Sequence, residues 1–185
     1  VFVMHSNDDG ATWREPREIT AAVEPLKDVY PWVVVATGPG HGLRLKNGRM
    51  IVPVWMSDGS GSGKGHKDGR GHRPSVVTSL YSDDGGDTWQ AGELVARTGD
   101  ELEGIPIVNP SETVAAELAD GRVMFNLRSE SMNNRRLIAT SDDGATGWRL
   151  ERFDPQLIEP VCMASLIRYD WPEGNKPSRL VFANP

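Results

Sequence analysis

The sequence contains a single cysteine, Cys162, so no disulfide can form within the chain. No run of about 18 apolar residues occurs, which argues against a membrane span, and no signal peptide is recognisable. Positive charge is not in excess, because the net charge is −6 and the pI is near 5.2; a nucleic-acid-binding surface is therefore not expected. Long stretches of helical periodicity are also missing, so the sequence has to be interpreted in strands and turns.

The stretch Asn109–Arg128 predicts a β-hairpin. Two runs of strand-forming residues flank Asp120-Gly121, and this dipeptide is a strong hairpin signal because glycine accepts the positive φ of a tight turn. Counting eight residues outward from Asp120 in both directions brings Glu112 opposite Arg128. Directly opposed residues of antiparallel strands have Cβ atoms roughly 4.5–5.5 Å apart. A carboxylate and a guanidinium should therefore meet at the open end of the hairpin.

Two other outcomes are open for this hairpin. A bulge at Gly121 would shift the pairing by one residue. Alternatively, Glu112 and Arg128 form an ordinary cross-strand ion pair at a sheet edge, of the kind that contributes little to stability. The remainder of the chain favours a functional pair.

A turn motif with the pattern S-x-D-x-G-x-T-W, the Asp-box, occurs three times. The copies are Ser6–Trp13, Ser82–Trp89 and Ser141–Trp148, the last with one extra residue before its tryptophan, and their third-position aspartates are Asp8, Asp84 and Asp143. We expect each aspartate to accept backbone N–H bonds within its own turn and each tryptophan to pack back on the sheet. The three aspartates are therefore predicted to be structural and not catalytic.

A second repeat accompanies the Asp-boxes. The segment Leu45–Ile51 matches Leu118–Met124 at an offset of 73 residues, and the same offset places Trp55 at the position of Arg128. Each unit runs from a hairpin through an outer strand to an Asp-box, and the aspartates of successive boxes are 76 and 59 residues apart. Periods of this length with four strands each indicate propeller blades.

The Gly/Ser-rich segment Asp58–Arg73 predicts a long flexible loop. Because it follows Trp55, it should emerge at the same rim as Glu112, either as a solvated insertion or as a mobile lip over a site. His66 and His72 within it show no metal-ligand spacing, so no metal site is predicted. Further strands are predicted at Val76–Ser82, Glu93–Ala96, Arg135–Ser141, Met163–Tyr169 and Arg179–Phe182.

Together with the Asp-boxes, three further segments resemble the exo-α-sialidases (neuraminidases) of the bacterial and animal cellular type. They are Thr37–Leu43 with its Gly-Pro-Gly, the hairpin segment Glu112–Ser129, and Pro160–Leu166 leading to Leu180–Pro185. The resemblance covers essentially the whole chain and implies an all-β, six-bladed β-propeller, of which this chain covers about three to four blades. Neither end looks like a natural terminus, so we expect residues 1–185 to be a partial propeller domain within a longer protein.

The resemblance implies roles for four residues. Sialidases bind the carboxylate of the sugar with three arginines, and Arg128 resembles the second; the planar guanidinium suits this task because it donates parallel hydrogen bonds. Glu112 resembles the carboxylate that activates a tyrosine nucleophile, since a neutral phenol approaches an anionic substrate better than a second carboxylate does. Trp55 stands where an aromatic residue often lines the pocket, although packing between blades is an equally good interpretation. Met163 is also assigned to substrate binding, at a position where relatives often carry a polar glutamine.

Other parts of the family's machinery have no counterpart in these residues. The resemblance places the first arginine and the acid/base aspartate before Val1, and the third arginine and the tyrosine nucleophile after Pro185. None of the three tyrosines, Tyr30, Tyr81 and Tyr169, stands at the expected place. The chain alone is therefore expected to be inactive.

The predicted function is that of a retaining exo-α-sialidase, which releases terminal sialic acids from sialylated glycans without a cofactor. One alternative is a non-catalytic Asp-box propeller that binds carbohydrate or protein. A trans-sialidase, or a hydrolase for a related nonulosonic acid such as Kdn, is the other. The composition leaves the compartment open, and the resemblance favours a secreted or periplasmic protein.

Overall fold

The computed structural model describes residues 1–61, 71–174 and 176–185; part of the predicted loop, with His66, lies outside them. The described residues form sixteen strands and two short 3-10 helices, Thr20–Ala22 and Glu24–Asp28. The strands are β1 (Phe2–Val3), β2 (Arg17–Glu18), β3 (Val34–Thr37), β4 (Leu43–Arg44), β5 (Met50–Ser57), β6 (Ser75–Ser82), β7 (Gln90–Ala91), β8 (Ala96–Arg97), β9 (Glu101–Leu102), β10 (Ile105–Pro106), β11 (Thr113–Glu117), β12 (Val123–Leu127), β13 (Arg135–Ser141), β14 (Arg149–Ile158), β15 (Ser165–Asp170) and β16 (Arg179–Ala183). No helix among the described residues has the length and apolar character needed to cross a membrane.

Two of the antiparallel sheets have four strand positions side by side. One is the meander β11-β12-β13-β14. In the other, β3 and β4 both pair with β5, and β7 and β8 both pair with β6, so that two short strands share each outside position. The strands β1 and β2, β9 and β10, and β15 and β16 form separate two-stranded sheets. Successive four-stranded meanders of this kind are the blades of a propeller, as the sequence predicts.

The predicted register of the hairpin between β11 and β12 is found in the structure. Thr113 pairs with Leu127, and the Leu118 N–H donates to the Arg122 carbonyl at 2.7 Å. Gly121 has a φ of +91°, the conformation that the tight turn requires. The pairing is not displaced by a bulge.

The hydrophobic core lies between the sheets, so the inner strands are buried on both faces. Alternate residues of β11 point in opposite directions: Val114 and Ala116 pack with Leu166 on one side, and Ala115 packs in the cluster of Phe125 on the other. Because β11 is covered on both faces, it can hold the residues beside it in fixed positions.

Two strand predictions need correction. Only Ala96 of the predicted strand Glu93–Ala96 belongs to a strand, because the Glu93 N–H donates to the Ala145 carbonyl of the third Asp-box at 2.8 Å. The ten-residue strand Arg149–Ile158 was not predicted at all. It is the outermost strand of its sheet and most of its residues are at least partly exposed, so the apolar alternation that marks a strand is weak.

The first two Asp-boxes are closed by hydrogen bonds to their aspartates. Asp84 accepts the Ser82 hydroxyl at 2.8 Å, the Thr88 N–H at 2.8 Å and the Thr88 hydroxyl at 2.6 Å. The equivalent bonds to Asp8 measure 2.6, 2.9 and 2.6 Å. These bonds stabilise the ionised form, so the pKa of each of the two carboxyl groups falls to about 2.

The third box is built differently. Its threonine comes one residue earlier, and Asp143 Oδ1 accepts the N–H groups of Ala145 at 2.9 Å and Thr146 at 2.8 Å. Burial raises the pKa of Asp143, but these N–H groups outweigh burial and lower it to about 2. Asp143 also accepts a bond from Arg49 Nη1 at 3.0 Å, which ties this box to the neighbouring sheet.

The expectation that every Asp-box tryptophan packs on its sheet is wrong for the first box. Trp148 contacts Phe125 with ring centroids 4.3 Å apart, and Trp89 is partly buried against the core, whereas Trp13 is 60% exposed. The sheet beside the first box consists of only two short strands, β1 and β2, and offers little surface for the indole.

Candidate functional site

Glu112 and Arg128 flank the open end of the hairpin: Glu112 directly precedes β11 and Arg128 directly follows β12. The Arg128 N–H donates to the Glu112 carbonyl at 3.1 Å, so the two residues are directly opposed. Their side chains lie on the same side, with Arg128 Nη1 3.4 Å from Glu112 Oε2. Both side chains are partly buried: 19% of the Arg128 side chain and 29% of the Glu112 side chain are exposed.

Most N–H donors of the Arg128 guanidinium make no hydrogen bond among the described residues. Its Nη1 donates to the Ser111 hydroxyl at 3.0 Å, and its Nη2 lies 3.8 Å from Glu130 Oε1, beyond hydrogen-bond length. Its Nε is buried and has no hydrogen-bond partner among the described residues. A guanidinium has five N–H donors, so Arg128 retains the capacity to bind an anion through parallel hydrogen bonds.

The Gly-Pro-Gly segment of the neighbouring sheet presses against the start of β11. A Cβ added to Gly38 would lie 2.9 Å from the Thr113 carbonyl oxygen, and one added to Gly40 would lie 2.7 Å from Val114 Cγ1. Contacts this short exclude larger residues at both positions without movement of β11. The segment thus fixes the strand that begins one residue after Glu112.

A buried ion pair lies behind the site. Arg136, in β13, is completely buried and contacts Glu159 Oε2 through Nη1 at 2.5 Å. Its Nε donates to Asn126 Oδ1 at 2.6 Å, and its Nη1 donates to the Cys162 carbonyl at 3.1 Å. Burial lowers the pKa of Arg136, and the charge of Glu159 opposes that shift. Arg136 thus joins the strand that leads to Arg128 with the loop after β14.

The other two predicted substrate-binding residues differ in exposure. Trp55 is 9% exposed and belongs to the core between the sheets, with its ring edge-on to His72 at 5.3 Å. Met163 is 40% exposed on the loop between β14 and β15, directly after Cys162. A role for either side chain in substrate binding stays a prediction.

Within the described residues, no group of three or more histidine, cysteine, aspartate or glutamate side chains is arranged to hold a metal ion. A cleft of about 450 Å³ lies between β1, β4 and β5 and is lined mainly by apolar side chains such as Phe2, Leu43 and Trp89. None of the charged residues around Arg128 lines this cleft. Its lining suits packing between sheets and not the binding of an anion.

Sequence reasoning missed the charged residues that surround the pair. Glu130 lies two residues beyond Arg128 and accepts hydrogen bonds from Arg73 and Asn109. Arg73 is the last residue of the predicted loop, and Asn109 precedes the first strand of the hairpin. Arg136 carried a usable signal, because an arginine that directly precedes an apolar run and shares a strand face with Ile138 has to be paired when it is buried.

The fold and the charged pair define the class of the protein as an all-β protein of propeller-type sheets with a partly buried arginine–glutamate pair at one rim. The chain belongs to the BNR repeat-like domain family, whose model matches residues 1–170. This match agrees with the three Asp-boxes and with the predicted fold.

The comparisons with individual proteins point to sialidases. A sialidase of Bacteroides fragilis (strain YCH46) is 32% identical over 186 residues, which cover 100% of this chain and 29% of that protein. The structure of the Hadza microbial sialidase Hz136 superposes with a TM-score of 0.68 at 27% identity, covering 91% of this chain and 28% of that one. The structure of the intramolecular trans-sialidase from Ruminococcus gnavus superposes with a TM-score of 0.68 at 22% identity, covering 100% of this chain and 32% of that one. The resemblance to sialidases is thereby confirmed, and the chain spans under a third of these relatives.

Proposed function

We propose that the complete protein containing this chain is a retaining exo-α-sialidase that releases terminal sialic acids from glycans. The observation that carries the proposal is the Glu112–Arg128 pair at the open end of a hairpin whose neighbouring sheets are those of a sialidase-type fold. The proposed function depends on the N–H donors that the contacts of Arg128 leave available. Arg128 makes one side-chain hydrogen bond among the described residues, and its Nη2 stands 3.8 Å from Glu130 Oε1, which leaves terminal N–H donors for an anion.

In the proposed reaction, Arg128 binds the carboxylate of the sugar. A hydrogen bond to a charged group contributes roughly 1.5–3 kcal/mol, so a pair of such bonds fixes the sugar firmly. The low exposure of the Arg128 side chain strengthens these bonds, because little water competes for the same donors. Arg128 thereby orients the anomeric carbon, which carries the carboxylate.

Glu112 acts as the base in the proposal. Its carboxylate accepts the proton of a tyrosine hydroxyl, and the phenolate oxygen attacks the anomeric carbon to form a covalent glycosyl intermediate. The glycosidic bond breaks in the same step, and the acid/base aspartate protonates the departing aglycone oxygen. Water, deprotonated by that aspartate, then displaces the tyrosine and releases the sugar with its configuration retained. Tyr30, Tyr81 and Tyr169 do not hydrogen-bond to Glu112 in the described structure; Tyr30, for example, donates to the Pro74 carbonyl. The tyrosine and the acid/base aspartate are proposed to come from other segments of the complete protein.

The test is the hydrolysis of a fluorogenic α-sialoside by the complete protein and by its Glu112→Gln variant. Loss of a general base lowers kcat by about 10²–10⁴-fold. The matched control is Glu151→Gln, since Glu151 is similarly exposed at 35% but lies on the outermost strand β14. Wild-type turnover by Glu112→Gln would refute the proposed role, and NMR of the first product would show whether configuration is retained.

The same assay separates hydrolysis from transfer. With an acceptor sugar present, a hydrolase still yields free sialic acid, whereas a trans-sialidase yields a new sialoside. A Kdn-type hydrolase would cleave a Kdn glycoside faster than the sialoside. Binding of a sialoside without any turnover by the complete protein would favour a carbohydrate-binding module instead.

A further inference from the structure

Glu130 lies between two guanidinium groups and bonds to only one of them. Arg73 approaches it from the neighbouring sheet, with Nη2 2.6 Å from Oε1 and Nε 3.1 Å from both carboxylate oxygens. Arg128 approaches it from the candidate site, with Nη2 3.8 Å from the same Oε1. The carboxylate is therefore shared unequally, and Arg73 makes the shorter contacts.

The position and charge of Glu130 are fixed by its surroundings. Its N–H donates to the Val108 carbonyl at 2.7 Å, and its Oε2 accepts the Asn109 amide at 3.0 Å. Burial raises the pKa of the Glu130 carboxyl, but the bonds from Arg73 and Asn109 and the charge of Arg128 outweigh burial and lower it. Glu130 is thus a charged acceptor close to the arginine that the substrate would use.

The carboxylate of Glu130 and the carboxylate of a bound substrate would compete for the same guanidinium, that of Arg128. A carboxylate of the protein that moves about 1 Å closer to Arg128 Nη2 would reach hydrogen-bond length and occupy a donor that the substrate needs. Arg73 opposes this movement because it engages both oxygens of Glu130 in a forked arrangement.

We propose that Arg73 is a positioning residue that holds Glu130 out of hydrogen-bond reach of Arg128, and so keeps Arg128 open for the substrate carboxylate. This inference rests on the proposed function of the Glu112–Arg128 site. Removal of Arg73 lets Glu130 close onto Arg128 and weakens binding of a carboxylate ligand. Removal of Glu130 as well eliminates the competitor, so the second substitution reverses the effect of the first.

The experiment is a double-mutant cycle in the complete protein with Arg73→Gln, Glu130→Gln and the double variant. The probes are 2,3-unsaturated sialic acid and its methyl ester, which lacks the negative charge. Arg73→Gln should raise the inhibition constant of the acid roughly tenfold, the size expected for one charge-assisted hydrogen bond, and leave that of the ester unchanged. The double variant should bind the acid as Glu130→Gln does.

The matched control is Arg149→Gln. Arg149 begins the outermost strand β14, and 51% of its side chain is exposed, as for Arg73. Its Nη2 lies 2.9 Å from Asp142 Oδ1. It should bind both inhibitors as the wild type does. A double variant as impaired as Arg73→Gln, or an Arg73→Gln variant with unchanged affinity for the acid, would overturn the proposal.

A crystal structure of the Arg73→Gln variant tests the same inference without activity. The distance from Glu130 Oε1 to Arg128 Nη2 should fall from 3.8 Å to hydrogen-bond length. An unchanged distance would overturn the inference whatever the kinetics show. If the wild type neither cleaves sialosides nor binds the acid while Glu130 closes on Arg128 in the variant, the proposed function fails and the positioning role of Arg73 stands.

Discussion

Two arginines in this chain are equally exposed and differently bonded. Arg49 and Arg128 each have 19% of the side chain exposed, and each lies in the second half of a β-hairpin. Arg49 donates to both carboxylate oxygens of Asp83, at 2.7 and 2.9 Å, and to the carboxylate and carbonyl of Asp143, at 3.0 and 3.2 Å. Arg128 donates one side-chain hydrogen bond among the described residues, to Ser111.

The difference shows that exposure alone does not identify a functional arginine. Arg49 lies at the Asp-box end of the sheets, where it makes four hydrogen bonds that join two turns of neighbouring sheets. Arg128 lies at the opposite end, where carboxylates stand at 3.4 and 3.8 Å and leave its donors available. Unused donors on a partly buried charge are costly unless a ligand takes them. The comparison therefore predicts a stabilising role for Arg49 and supports the proposed role of Arg128 in binding.

The largest expected effect tests that assignment directly. Arg128→Ala in the complete protein should lower kcat/KM for an α-sialoside by about 10²–10⁴-fold, because two charge-assisted hydrogen bonds of roughly 1.5–3 kcal/mol each are lost. Steady-state kinetics measure the loss, and thermal unfolding checks that the variant is folded. The control, Arg49→Ala, should lower Tm and leave kcat/KM of the folded protein nearly unchanged. Equal activity losses in the two variants would remove the distinction between them.

A third arginine extends the comparison to complete burial. Arg136 and Glu159 are 0% and 1% exposed, so Arg136→Met leaves a carboxylate buried without its counter-charge. The expected loss is about 3–5 kcal/mol of unfolding free energy, which corresponds to a fall in Tm of roughly 2–4 °C for each kcal/mol. Chemical denaturation of the complete protein measures it.

The control for this variant is the double substitution of Arg136→Met with Glu159→Gln. Removing the charge of Glu159 should recover part of the lost stability, since most of the cost comes from the unpaired ion. A double variant less stable than Arg136→Met alone would show that packing, and not the unpaired charge, dominates at this position.

The hairpin and the Asp-boxes were predictable because their contacts are local. The Asp120-Gly121 turn sets the count that brings Glu112 opposite Arg128, and the structure has that register. The bonds that close each Asp-box join residues two to five positions apart, and their geometry follows from the turn itself. Such features depend little on how the sheets are packed.

The contacts that complete the candidate site were not predictable in this way. Arg73 and Glu130 are 57 residues apart, and Arg49 and Asp143 are 94 apart, in different sheets. Their meeting depends on the packing of one sheet against the next, which no period in the sequence encodes. The exposure of Trp13 has the same origin, since the surface beside an Asp-box depends on the sheet that adjoins it.

The smallest expected effect concerns the Asp-boxes and acid. The carboxyl pKa of Asp84 is about 2 in the folded chain against an ordinary 3.8, because the bonds from Thr88 and Ser82 require the ionised form. A carboxyl group with a lower pKa in the folded state favours folding above pH 3.8, and that contribution disappears as the pH falls to about 2. Tm of the complete protein should therefore fall through this window, and less steeply in Asp84→Asn, which has no proton to gain.

Asp143 sharpens this prediction because its pKa is also about 2 and it binds Arg49 as well as its own turn. Asp143→Asn should therefore reduce the pH dependence as Asp84→Asn does, and lower Tm at pH 7 by more, since it also removes the charge that Arg49 binds. Measurements at high salt separate the two effects, because salt screens the ion pair with Arg49 and leaves the turn bonds nearly unaffected. Identical values of Tm for the two variants at pH 7 would show that the cross-link from Arg49 adds nothing to the stability of the third box.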